Sequence, residues 1–272
     1  MKLLDLFCGG GGAGMGYSQA GWEVVGVDLE PQKHYPFEFH QADAFEYLAE
    51  HWQEFDAIHG SPICKGYSVM NNLPWLKGKE YPLQILPLRE ALNAIGKPYV
   101  IENVMGARFG AKGLAKRGLE AHGMQAGWLC GTMFGLPFYR HRLFETNWFY
   151  LQPGHPKHQR VILRRRDSGE RQHVMVYAAN SGAGIGSGPE YRTKRGGPLP
   201  HNTGETRVMA VRNLENCQGN GAQAAGVGVG HAKGWRLAAE AMGIDWMNRE
   251  ELTQAIPPAY TKFIGEALRR QL

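Results

Sequence analysis

Short apolar runs, set apart by glycine-punctuated polar stretches, organise the first half of the chain. Leu3 to Phe7, Trp22 to Val27, Phe37 to His40, Phe55 to Ile58, Pro98 to Val104 and Gly127 to Gly131 each read as a strand. Their length, β-branched and aromatic content and Gly/Pro flanks suit buried strands. Met15 to Ala20, Ala44 to His51 and Leu88 to Ile95 read as helices, with Gly21 and Gly96 as stops. Strands alternating with helices predict an α/β fold with a mostly parallel sheet. Between about Thr146 and Lys233 the periodicity is lost, and glycine and basic residues dominate. Val174 to Ala178 is one candidate strand there, and Gly182 to Gly188 and Gly219 to Gly230 read as flexible loops. Helical patterning returns in Trp235 to Met242, in the segment opening at Met247, and in Thr261 to Gln271.

With 272 residues, one large domain, or one plus a smaller unit, is expected. No run of apolar residues is long enough for a transmembrane helix, and Asp5 and the following glycines do not make a signal peptide. A cytoplasmic, monomeric protein without membrane association is the expectation. The four cysteines form no CxxC pair, which argues against a disulfide scaffold or zinc finger. His155-Pro156-Lys157-His158 has no cysteine or carboxylate ligand close in sequence, so it reads as a surface loop, and no metal is expected. Net charge is only +5, but its distribution is uneven. Nine Lys/Arg (among them Arg164, Arg165, Arg166, Arg192, Lys194 and Arg195) face three acids between His155 and Arg195, which favours a polyanion such as nucleic acid.

Cys8-Gly9-Gly10-Gly11-Gly12 follows the first strand, and Asp28 ends the second. A glycine turn lets backbone approach a ligand closely, and an acid at the next strand end can accept from ribose hydroxyls. The glycine spacing is not that of a dinucleotide site and suits S-adenosylmethionine better. Asp43 follows the third strand, where it can accept from an adenine amino group, cap the helix from Ala44, or do both. Cys64 lies in Gly60-Ser61-Pro62-Ile63-Cys64-Lys65-Gly66-Tyr67-Ser68, a loop at a strand end and hence at the ligand-binding edge of an open sheet. A cysteine beside Lys65 is a candidate nucleophile. Residues 69–87, punctuated by Pro74, Pro82 and Pro87, read as a mobile loop. Glu102, after an apolar run, is a candidate acid, and Arg140 and Arg142 alternate so that both face one side of a strand and suit an anion.

Together these motifs resemble the DNA (cytosine-5)-methyltransferases, especially the short forms of bacteriophages and prophages. The resemblance covers roughly residues 3–145 and 234–270. Asp5-Leu6-Phe7-Cys8-Gly9-Gly10-Gly11-Gly12 is similar to the family's cofactor loop, Cys64 to its nucleophile, Glu102-Asn103-Val104 to its Glu-Asn-Val motif, and Arg140 and Arg142 to its arginine pair. Gln254-Ala255-Ile256-Pro257-Pro258 is similar to the C-terminal motif that completes the cofactor pocket. The resemblance implies a Rossmann-like S-adenosylmethionine-dependent methyltransferase domain, residues 1–145 and 234–272, with a small irregular target-recognition region, residues 146–233. It implies Asp5, Phe7, Gly9, Gly11, Gly12, Asp28, Leu29, Asp43, Ala44, Pro62, Gln254 and Ala255 as cofactor-binding. It further implies Ser68 and the basic cluster as contacts to double-stranded DNA.

The implied chemistry is methyl transfer to C5 of a flipped-out cytosine. The Cys64 thiolate adds to C6 and activates C5, Glu102 engages N3 and the amino group, and an arginine holds O2 or a flanking phosphate. The chain departs from the family pattern at four places. Ile63 stands where the family has Pro, Lys65 where it has Gln, Phe138 where the arginine motif has Gln, and Thr253-Gln254 where the last motif has Gly-Asn. Lys65 can act on the thiol or a phosphate, or pair with the extra carboxylate of carboxy-S-adenosylmethionine, which would give carboxymethyl transfer. A catalytically silent DNA-binding relative and an RNA cytosine methyltransferase are the further alternatives.

Overall fold

The computed structural model describes residues 1–68, 80–109, 124, 126–136, 140–156 and 235–272. A seven-stranded sheet runs through it: β1 (Lys2–Leu6), β2 (Glu23–Asp28), β3 (Glu38–Gln41), β4 (Ala57–Gly60), β5 (Tyr99–Val104), β6 (Gly127–Leu129) and β7 (Arg142–Thr146). The spatial order is β3-β2-β1-β4-β5-β7-β6. The first five strands are parallel, and β7 lies antiparallel to both β5 and β6. Helices α1 (Gly12–Gln19), α2 (Ala44–His51) and α3 (Ile85–Ile95) connect the parallel strands, and α4 (Trp235–Met242), α5 (Arg249–Gln254) and α6 (Pro258–Arg269) form the C-terminal segment.

Both faces of the sheet are covered, which is why the strands read as continuous apolar runs. Leu4, Val25, Ile58 and Ile101 pack with Leu48 of α2 and Leu88 and Leu92 of α3. Their neighbours Leu3, Val24, Ala57 and Val100 pack on the other face with Tyr17 of α1 and Tyr260, Ile264 and Leu268 of α6. Successive side chains alternate across a strand, so Asp5, His59 and Glu102 share that second face. All three are buried, and the register sets Asp5 directly beside His59.

Several elements begin earlier than the sequence pattern indicates. Helix α1 starts at Gly12 rather than Met15, although glycine is a poor helix former. Packing overrides propensity: a Cβ on Gly12 would lie 2.5 Å from the Ile256 carbonyl oxygen, and one on Gly16 would lie 2.1 Å from both Pro258 O and Thr261 Oγ1. Helix α3 starts at Ile85 rather than Leu88, so Pro87 sits in its first turn, where no helical N–H is needed. Helix α6 likewise starts at Pro258 rather than Thr261. Helix α5 is shorter than the pattern, because Asn248 caps it by accepting from Glu250 N and Glu251 N. The predicted strand Val174 to Ala178, the glycine loops beyond it and most of the proposed 69–87 loop lie outside the described residues.

Candidate active site

β1 ends at Leu6, and Phe7 takes φ of +57°, the sole non-glycine with positive φ among the described residues. That conformation is costly for a side chain with a Cβ and points to a site that fixes it. The Phe7 ring packs edge-on against Phe45 of α2. The chain then turns through Gly9 (φ +50°) and Gly11 (φ +85°) into α1. Gly9 N–H donates to Asp28 Oδ2 at 2.9 Å, which ties the turn to the end of β2, and Asp28 Oδ1 accepts from Glu30 N at 3.0 Å. Leu29 beside it is exposed.

Asp5 is fully buried beneath this turn. Its Oδ2 accepts from the Tyr35 hydroxyl at 3.2 Å, whereas Oδ1 has no hydrogen-bond partner. Burial, with Asp28 as a nearby like charge, pushes the carboxyl up to about 7 against the relief given by Tyr35. Asp43 caps α2, accepting from Phe45 N and Glu46 N, with buried Ala44 as the first helical residue.

The C-terminal segment closes on the same turn. Trp246 Nε1 donates to Gly10 O at 2.8 Å, Thr261 Oγ1 donates to Ala13 O at 2.8 Å, and Ala255 and Ile256 pack on Gly12. Gln254 ends α5 with an exposed side chain. His34 Nδ1 meets Glu251 Oε1 at 2.9 Å across the rim. Gly9–Gly12, Asp28, Asp43 and the α5–α6 junction therefore come together at the carboxyl ends of β1, β2 and β3 as a candidate cradle, and Asp5 Oδ1 lies buried in β1 without a hydrogen-bond partner. An S-adenosylmethionine carries ammonium, hydroxyl and amino donors that suit such a lining.

Beside the cradle, β4 ends at Gly60 and the Cys64 loop begins. Asn103 Nδ2 on β5 donates to Pro62 O at 2.9 Å, and the Ile63 N–H donates to Gln84 Oε1 at 3.4 Å. Asn103 is buried, and this anchoring role was not visible in its sequence context. Cys64 is half-buried at the head of a 3-10 turn, Lys65–Tyr67. Burial pushes its thiol up; Arg142 and Arg140 pull it down and Glu102 opposes them. Lys65 is exposed.

Glu102 is fully buried. Burial raises its carboxyl, with Arg142, Arg140 and a hydrogen bond from Ser61 acting against that. Arg142 Nε lies 3.0 Å from Glu102 Oε1, too poorly aligned for a hydrogen bond, so the contact is an ion pair. Arg140 is held by Nη2 donating to Thr253 O at 2.8 Å, while the Tyr260 hydroxyl donates to the Arg140 carbonyl at 2.7 Å. Burial and the Arg142 charge push the Arg140 guanidinium down to about 9. Arg89 of α3 grips Glu145 in a bidentate pair, Nη2 to Oε2 at 2.8 Å, which fixes β7.

Behind Glu102 runs a buried chain that sequence reading missed. The Tyr17 hydroxyl lies 3.0 Å from His59 Nδ1, His59 Nε2 lies 2.8 Å from Ser61 Oγ, and Ser61 bonds Glu102. Burial pushes His59 down to about 3, so the ring is neutral. With Tyr17 donating to Nδ1, Nε2–H donates to Ser61 and leaves the serine proton for Glu102. The structure thus brings Cys64, Glu102, Arg140 and Arg142 together, next to the cradle. Ser68 follows the Cys64 turn and is half-buried. Arg164, Arg165, Arg166, Arg192, Lys194, Arg195 and Phe138 lie outside the described residues.

The glycine turn, the strand-end acids and the reversed β7 define the fold as the Rossmann-like methyltransferase fold. The proteins the chain is similar to support the resemblance at the level of a DNA methyltransferase. Over 128 residues it is 29% identical to the type II methyltransferase M.FnuDI of Fusobacterium nucleatum, a match covering 44% of this chain and 36% of that relative. The chain therefore spans about a third of the length of the curated relative it matches. In structure it is similar to a candidate DNA modification methyltransferase encoded within an E. coli prophage (TM-score 0.51, 14% identity, 99% of each chain). It is also similar to the S. pombe Dnmt2 methyltransferase (TM-score 0.53, 15% identity, 100% of this chain and 99% of that one). These two likenesses are likenesses of fold. No family model matches the chain. Among the described residues no helix is long and apolar enough to cross a membrane.

Proposed function

We propose that the chain methylates C5 of cytosine in DNA, using S-adenosylmethionine. The observation that carries this reading is the meeting of Cys64, Glu102 and Arg142 at the carboxyl end of the sheet, beside a cradle whose Asp5 Oδ1 lacks a partner. Asp5, Gly9, Gly11, Gly12, Asp28 and Ala255 would hold the donor, whose bound sulfonium supplies an electrophilic methyl group. Cys64 adds to C6 of the base. Its thiol is pushed up in the free protein, so it is a poor thiolate until the site fills. Glu102 carries the proton that neutralises charge pushed onto N3, and its raised affinity for that proton suits the task. While Glu102 holds that proton it is uncharged and does not oppose ionisation of Cys64, and Arg142 and Arg140 favour the thiolate. Water takes the C5 proton, the C5–C6 double bond re-forms as the Cys64 thiolate leaves, and N3 returns its proton to Glu102. A target base is stacked inside a duplex and has to be extruded to reach Cys64. Residues 1–145 and 234–272 form the catalytic unit in this reading, and residues 146–233, with their basic cluster, read the target.

The test is incubation of the full chain with duplex DNA and donor, followed by mass spectrometry of the nucleosides. 5-Methylcytosine is the expected product. A parallel reaction with carboxy-S-adenosylmethionine addresses Lys65, and 5-carboxymethylcytosine there would redefine the transferred group. Donor binding with no modified base in either reaction would sink the proposal in favour of a silent DNA-binding relative.

A further inference from the structure

Next to the catalytic arginines in sequence, a second cluster collects at the end of the β6–β7 ribbon where β7 begins. The register pairs Gly127 with Phe144, Trp128 with Leu143 and Leu129 with Arg142. One step further along, Cys130 stands opposite His141. The chain beyond β7 returns and brings His155 against both. One ligand atom each from Cys130, His141 and His155 lies within 4.8 Å of the others. Cys130 and His141 are buried and His155 half-buried. The rings of His141 and His155 flank Trp128, with centroids 5.2 and 4.7 Å from it, and lie 5.6 Å from each other. No sequence spacing announces this group, because its members come from three separate segments.

We propose that Cys130, His141 and His155 form a zinc site. Zinc bonds to sulfur at about 2.3 Å and to imidazole nitrogen at about 2.0–2.1 Å, so tetrahedral ligand atoms stand roughly 3.5 Å apart. The ligand atoms, all within 4.8 Å of one another, exceed that spacing by about 1.3 Å at most, a distance that side-chain rotation covers. One thiolate and two imidazoles select a borderline-soft ion over magnesium or calcium, which prefer oxygen. The Thr132 hydroxyl, 3.3 Å from Cys130 Sγ, is placed to donate to the bound thiolate, an outer-shell contact common around such sites. Three protein ligands leave one position for water or a further ligand. His141 lies between Arg140 and Arg142 in sequence, and alternation turns it to the opposite face. The ion would therefore clip the ribbon bearing the arginines to the segment that leads from His155 into residues 157–234, without entering the catalytic pocket.

Metal binding is read on the untagged full chain with neither donor nor DNA present, so the result is independent of the methyltransferase reading. The purified protein is expected to carry about one equivalent of zinc by elemental analysis. After chelation, cobalt(II) is expected to give the visible bands of a tetrahedral ion and a near-ultraviolet thiolate-to-cobalt band. Cys130→Ser should remove that thiolate band, and His155→Ala should weaken cobalt binding by about tenfold or more while circular dichroism stays native. Folded wild-type protein that takes up neither metal overturns the proposal. So does a thiolate band that survives Cys130→Ser and disappears in Cys64→Ser.

Discussion

Asp5→Asn separates two demands that fall on one carboxyl group. In the fold Asp5 is buried and holds its proton up to about 7, against 3.8 for an ordinary aspartate. The native state therefore binds more protons than the unfolded chain between those values. Stability from Asp5 is fully present below 3.8 and is lost as pH rises through about 7. The interval between 3.8 and 7 corresponds to about 4 kcal/mol, an upper bound on the cost of holding the ionised group in place. Asparagine keeps the shape without the charge. The variant should be more stable than wild type by up to about 4 kcal/mol at about pH 8, and the advantage should shrink toward zero near pH 4. Urea unfolding followed by circular dichroism over that range measures the difference. Donor affinity should move the other way. In the proposed reading the unpartnered Oδ1 accepts from the donor, so S-adenosylmethionine should bind the variant about tenfold more weakly by titration calorimetry. A variant less stable than wild type at about pH 8, or an advantage that does not grow with pH, would refute the account of Asp5 as a destabilising group retained for ligand binding.

The other consequences are simpler to state. Gly16→Ala puts a Cβ 2.1 Å from Pro258 O and Thr261 Oγ1, so α1 and α6 have to part, and thermal unfolding should report a loss of at least about 3 kcal/mol. Cys64→Ser should abolish methyl transfer and the covalent adduct with 5-fluorocytosine DNA on denaturing gels while leaving donor binding intact; an adduct in that variant would place the nucleophile elsewhere. Tyr17→Phe removes only the hydroxyl that fixes the His59 tautomer. It should cost about 1 kcal/mol of stability and lower the single-turnover rate with little change in donor affinity; an unchanged rate would show that the buried chain does not set the Glu102 proton.

The outline of the fold and the candidate groups that it gathers were legible because each rests on a local signal. Apolar runs of strand length, a glycine turn after the first of them and acids at strand ends are properties of neighbouring residues. What escaped depends on register. Tyr17, His59, Ser61 and Glu102 form one hydrogen-bonded line because α1, β4 and β5 bring them together on one face. The sequence near His59 reads only as the end of an apolar run. Asn103 looks like part of a motif, but its work is to hold Pro62 O across 41 positions of chain. The same limit misplaced the start of α1. Glycine propensity delays it to Met15, whereas contact with Ile256 and Pro258, more than two hundred positions away, favours glycine at Gly12 and Gly16.

The anchoring of the Cys64 loop also explains how Ile63 can stand where the resembled family has proline. Two of the bonds at this part of the loop use backbone atoms of Pro62 and Ile63: Pro62 O accepts from Asn103 Nδ2 at 2.9 Å, and Ile63 N–H donates to Gln84 Oε1 at 3.4 Å. The first does not depend on the side chain at position 63. The second requires an N–H, which proline lacks. Isoleucine therefore exchanges the rigidity of proline for a weak tie to the residue that precedes α3, while its side chain stays 40% exposed and packs little. Ile63→Pro should lose only that long hydrogen bond, at most about 1 kcal/mol, and keep its methylation rate within about threefold. Asn103→Ala breaks the short, buried bond, with an expected cost of about 2 kcal/mol and a rate at least tenfold lower, because the nucleophile is no longer held in register with Glu102. Single-turnover methylation of both variants decides the matter. If Ile63→Pro slows transfer as much as Asn103→Ala, the loop is positioned by the backbone shape at residue 63, and the anchor from β5 is secondary.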